Sequence, residues 1–135
     1  MTWNTAIKWI MLVSGGLTLT MVYAAIAPEA AMRTTFGDSL DGALAAIVVR
    51  TWGVLVGLIG AMLIYGAYRP EVRPLVLTVA GVSKAVFVGL VVLYGRPYLA
   101  TAGLAIIIDA VTVGLFIAFA VSRRHDVQRP AATAA

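Results

Sequence analysis

The chain has 135 residues, enough for one domain; 61% of them are hydrophobic and 12% charged, against roughly 45–50% and about 25% in ordinary soluble domains. With a mean hydropathy of +0.97 the expected solvent is a bilayer, and the absence of cysteine excludes disulfide frameworks, Cys-ligated zinc, iron–sulfur clusters and thiol redox chemistry. The formal charge of +4 does not describe a nucleic-acid surface, because the basic residues are scattered at the ends of apolar runs and no Lys/Arg cluster interleaves with aromatics.

The first apolar run, residues 9–27, follows Lys8 and ends in Ala25-Ile26-Ala27, which has the look of a signal-peptide cleavage site. Two features favour a transmembrane helix instead. Pro28 would follow the cut, and the run is nearer the roughly 20 residues of a span than the roughly 7–15 of a signal-peptide core. Pro28, lacking a backbone donor, is expected to end this helix. The stretch PEAAMRTTFGDSLDG comes next and is the only sizeable polar connection. Within it Asp38, Ser39 and Asp41 are candidate N-caps for the next helix, because their side-chain oxygens can accept from its free N–H groups.

The second run, 43–68, is interrupted by Arg50 and closes at RPEVRP, read as a short rigid turn at a membrane surface. The third, 75–94, carries Lys84 and stops at Gly95-Arg96-Pro97; the fourth, 99–121, carries Asp109 and ends at SRRHD. Residues 1–125 are thus predicted to form one transmembrane domain. The small, polar residues 126–135 are expected to be a disordered cytoplasmic tail. The fold class is all-α, an integral membrane four-helix antiparallel bundle.

Four spans put both termini on one side. That side and the second turn hold Lys8, Arg69, Arg73, Arg123, Arg124 and Arg129, whereas the other side holds Arg33 and Arg96. The positive-inside rule then makes the termini cytoplasmic. Aromatics mark the same boundaries, with Trp3, Trp9, Tyr65 and Tyr68 inside and Tyr23, Trp52, Tyr94 and Tyr98 outside. Arginine outnumbers lysine and Ala, Val and Gly dominate, a hint of a GC-rich bacterial genome, and the expected location of the helical bundle is the bacterial inner membrane.

Helices in lipid associate through close contact and polar links, so small residues are expected on the contact faces. Each run offers a stripe: Gly16, Thr20 and Ala24; Gly53, Gly57 and Ala61; Gly81, Ala85 and Gly89; Ala110, Gly114 and Ala118. Lys84 is roughly 14 Å and Asp109 roughly 15 Å from the ends of their runs, near the midplane of a hydrocarbon core about 30 Å thick. A lone charge there costs at least about 2.5–3.5 kcal/mol on insertion, so each should seek a partner, and matched depth on neighbouring antiparallel helices supplies one. The Lys84–Asp109 pair reads either as an ion pair that fixes register or as an ion- or substrate-binding carboxylate tuned by lysine. A retinal-type Schiff base on Lys84 is disfavoured, because four helices enclose too little space for a chromophore.

Arg50 lies about 10 Å below the outer end of its run, where Glu29 is expected to meet it in a second polar layer. That layer reads as a rim salt bridge or as the mouth of a water-accessible vestibule leading to Asp109. The lone histidine, His125, has no companions for a metal site. Arg123, Arg124 and His125 therefore read as a stop-transfer cluster that attracts anionic lipid headgroups. No phosphate-binding glycine loop, nucleophile elbow or zinc-binding helix appears. No cofactor and no metal is expected.

Several residues carry a resemblance: Pro28 and Phe36-Gly37 between runs one and two, Arg50, Trp52, Gly53 and Gly57 in run two, the Arg69-Pro70 turn, and the acid Asp109 in run four. In these the chain resembles the assemblage of small bacterial four-helix membrane proteins that includes the DoxX-like families. The resemblance implies the four-helix fold. Some DoxX relatives are associated with quinone-linked sulfur oxidation, an activity not carried over because nothing here identifies a quinone site. Small multidrug-resistance carriers are also four-helical, but they keep an essential glutamate inside helix one, whereas Glu29 follows it.

The expected function is that of an accessory, assembly or subunit-type inner-membrane protein, working as a homo-oligomer or beside a membrane-complex partner and without nucleic acid. The alternative is a small proton- or ion-coupled transporter using Asp109. An enzyme comes third.

Overall fold

The computed structural model of the chain describes residues 2–127, with side chains as far as Arg123. Every regular element among them is helical. We number them α1 (Trp3–Ile26), α2 (Pro28–Phe36), α3 (Ala43–Tyr68), α4 (Arg73–Tyr94) and α5 (Leu99–Val127). Four of these, all but α2, are long and apolar enough to cross a membrane, α5 together with the 3-10 turn Arg96–Tyr98 that leads into it. Large side chains such as Leu44, Leu93, Leu104, Ile107 and Ile117 point outward. Apolar exposure on this scale suits acyl chains rather than water. These features mark the chain as a candidate multi-pass membrane protein.

Helix boundaries differ from the sequence expectation where capping chemistry intervenes. α1 begins at Trp3 rather than residue 9, because the Thr2 hydroxyl accepts from the Thr5 N–H at 3.4 Å and so satisfies one of the free donors. α1 tightens to a 3-10 turn over Thr20–Val22, where the Thr20 hydroxyl donates to the Leu17 carbonyl at 2.6 Å. Pro28 does interrupt the chain, at a bend in Ala27 with φ −126° and ψ 72°, but it also starts a helix. At the first helical position the missing N–H is no loss. The expected polar connection therefore contains the nine-residue α2, which ends at Gly37 in the left-handed region with φ 77°. None of Asp38, Ser39 and Asp41 caps α3. Gly42, at φ 100°, holds the cap position, and the Asp38 carboxylate accepts instead from the Ser39 N–H at 2.8 Å. At the other end of the chain α5 continues through Asp126 and Val127 into the expected tail, while 128–135 lie outside the described residues.

α1 and α3 form a close antiparallel pair whose seam is glycine. A Cβ at Gly53 would lie 2.9 Å from the Met21 carbonyl, one at Gly57 would strike Val22, and one at Gly60 would lie 2.5 Å from the Leu19 nitrogen. Gly60, not the expected Ala61, continues the stripe, and Ala61 is exposed. On α1 the contact glycine is Gly15 rather than Gly16, which has open space beside it.

α4 and α5 form a second antiparallel pair, but their small residues do not touch. Gly89 and Gly114 have nothing within 4 Å of a would-be Cβ, Gly81 has only the Phe116 ring at 3.8 Å, and Ala85, Ala110 and Ala118 are exposed. Buried Ile7, Met11, Leu63, Val76, Phe116 and Phe119 join all four long helices into one apolar core at the end that holds Trp3, Arg73 and Arg123.

Candidate functional site

The polar interior starts from two charges in apolar helices. α4 and α5 run antiparallel, and Lys84 and Asp109 sit about 16 Å and 15 Å from their helix starts, so the two residues lie at matched height. The Lys84 ammonium forms an ion pair with Asp109 Oδ1 and donates a second hydrogen bond, at 3.1 Å, to Thr18 Oγ1 on α1. The lysine side chain is 8% exposed and that of the aspartate 18%. One ammonium therefore ties three helices together. Thr18 was missed at the sequence level. Its signal was the Ser14–Thr18 spacing, which puts two hydroxyls on one face of α1.

Two further hydroxyls lie near this layer. The Thr112 hydroxyl is buried and donates to the Ile108 carbonyl at 2.7 Å, within its own helix. The Ser14 hydroxyl, one turn from Thr18, is buried without a hydrogen-bond partner among the described residues.

The expected Glu29–Arg50 pair is absent. Arg50 donates to the Ala25 carbonyl, while Glu29 lines a small pocket of about 240 Å³ at the start of α3. The reason lies in Pro28. α1 stops at Ala27, so the carbonyls of its last turn lose their N–H partners, and the guanidinium supplies one. Arg73 does the same at the end of α3. It was expected in an exposed turn but is buried, and it donates to the Gly66 carbonyl at 3.2 Å and the Ala67 carbonyl at 3.0 Å. Pro70, which has no N–H, had left the Gly66 carbonyl open. Both arginines answer helix-end carbonyls rather than carboxylates.

At the α2 end, above the clamp that Lys84 forms with Asp109 and Thr18, aromatic side chains gather. Phe36 lies 6.3 Å from Trp52 and Phe87 and 6.1 Å from Tyr98, centroid to centroid, and packs against buried Val91, Ala102 and Ile106. These rings stand as an aromatic plug where the sequence reading allowed the mouth of a vestibule. α2 is held in place by the Tyr23 hydroxyl, which donates to Thr34 Oγ1, whose own proton goes to the Ala30 carbonyl at 2.9 Å. Beside Thr101, moreover, Gly37 leaves no room for a Cβ, which would lie 2.7 Å from the threonine hydroxyl.

Of the basic cluster, Arg123 is exposed and stands over the Phe119 ring at 5.9 Å, while the side chains of Arg124 and His125 lie outside the described part. Among the described residues no group of three or more His, Asp or Glu could hold a metal ion. Comparison with known proteins returns no matching family model, curated protein or solved structure.

Proposed function

We propose that the chain is a bacterial inner-membrane protein, a four-helix antiparallel bundle with both termini cytoplasmic, that serves as an accessory or assembly subunit. The observation that carries this reading is the Lys84 ammonium bound at once to Thr18 and Asp109 beneath the Phe36 plug. A group held by two partners on two helices suits a register lock better than a site that must release a substrate. The basic bias and the outward Trp3, Trp9, Tyr65 and Tyr68 support the orientation. Kinship with the DoxX-like assemblage belongs to the same proposal and rests on the motif residues alone.

A second reading, a small ion-coupled carrier, draws on one feature. Asp109 is more exposed than its lysine and lies one turn from Val113, which lines a groove open to the outside of the pair α4–α5.

The two readings part on a mutant series. Breaking a buried pair costs about 3–5 kcal/mol, whereas an apolar replacement of both members is often neutral. As a lock, Asp109→Asn and Lys84→Met each lower thermal stability in mild detergent, and the double variant Lys84→Met with Asp109→Leu regains it and still co-purifies with its partner proteins. A carrier gives the reverse: Asp109→Asn stays stable and the double variant loses function in cells.

A further inference from the structure

The groove between α4 and α5 has a volume of about 750 Å³ and is walled by Leu77, Gly81, Val82, Val113, Phe116 and Ile117. Its size falls within the roughly 300–1,000 Å³ of ordinary ligand sites. It exists because small residues here do the opposite of what they do between α1 and α3. Beside Gly81 the neighbouring helix does not close in, and its missing side chain leaves space rather than a contact.

Length and charge identify what fits. Along α4 the lining runs from Pro74 to Ala85, about 16 Å, which matches one leaflet of a hydrocarbon core about 30 Å thick. At the end toward Pro74 stands the exposed guanidinium of Arg123, where a headgroup would lie. Arg73 nearby is already committed to two carbonyls. A second copy of this chain fits less well, since a two-fold contact through this face would bring Arg123 against Arg123.

We propose that this groove seats one acyl chain of an anionic phospholipid, whose phosphate is held by Arg123. The site rests on the membrane reading but is independent of what Lys84 and Asp109 do.

The test is native mass spectrometry of delipidated full chain in mild detergent, titrated with phosphatidylglycerol or phosphatidylcholine of identical acyl chains. Wild type retains phosphatidylglycerol with a preference of about five-fold, the worth of one arginine at a charged headgroup. Arg123→Gln abolishes the preference while still binding both lipids, and Gly81→Leu, which fills the groove, loses both. Ala85→Leu fills the same groove from an exposed position and serves if Gly81→Leu does not elute as a single folded species. Equal retention of the two lipids by wild type overturns the proposal, as does wild-type retention by the groove-filling variants. A lipid-independent dimer that those variants abolish also overturns it, in favour of a second copy. A membrane-fractionation blot of the same cells checks the membrane reading separately.

Discussion

Thr18 and Lys84 meet across 66 positions of sequence, the threonine hydroxyl accepting from the ammonium at 3.1 Å in the interior. A hydrogen bond to a charged group is worth about 1.5–3 kcal/mol. Thr18→Val is therefore expected to lower stability by that amount, read as a fall in the thermal midpoint in detergent. Ser14→Ala, one turn away, removes a buried hydroxyl without a partner and should leave the midpoint unchanged or raise it. Equal losses from both would refute the assignment of Thr18 to the clamp.

Glycines in the same chain should respond in opposite directions. Gly60→Val drives a side chain into the backbone of Leu19 and Gly15, and overpacking of this kind costs about 1–3 kcal/mol. Gly89→Ala meets nothing within 4 Å and should gain about 0.5–1 kcal/mol from helix propensity. Thermal unfolding of the two variants beside wild type decides it.

Arg50 and Glu29 test which partner the arginine inside α3 has. Arg50→Met leaves the Ala25 carbonyl without its donor and is expected to cost about 1.5–3 kcal/mol, while Glu29→Gln should stay within about 0.5 kcal/mol of wild type. Comparable losses at the two positions, with a strong coupling in the double variant, would restore the ion pair that the sequence suggested.

Phe36 touches three aromatic rings at the α2 end. Phe36→Ala is expected to cost about 2 kcal/mol, less than a fully buried phenylalanine because Phe36 is half-buried. It should also shift Trp52 emission to the red as water reaches its ring. An unchanged spectrum would mean that the plug does not shield this end.

Much of this was readable beforehand. A charge inside a long apolar run has few acceptable neighbours, so Lys84 and Asp109 stood out at matched depth, and the four long helices followed from run length and hydropathy. The arginines were misread for a related reason. The sequence offers Arg50 the carboxylate of Glu29 and puts Arg73 in a turn at a membrane surface, whereas both find backbone carbonyls freed by the helix breaks at Pro28 and Pro70, and an open carbonyl carries no residue label. Pro28 was read only as a terminator although the same missing N–H suits a helix start, which hid α2.

By itself the sequence determined that there are four long apolar helices and that a lysine and an aspartate sit at matched depth inside two of them, because hydropathy and rise per residue are local properties. Only the tertiary structure decided which glycines are contacts and which are gaps. A four-residue spacing puts Gly53 and Gly57 on one face, but the facing backbone chooses between Gly60 and Ala61, and Gly81 meets a groove where Gly57 meets Val22. Close approach depends on two helices at once, and no single run of residues contains that information.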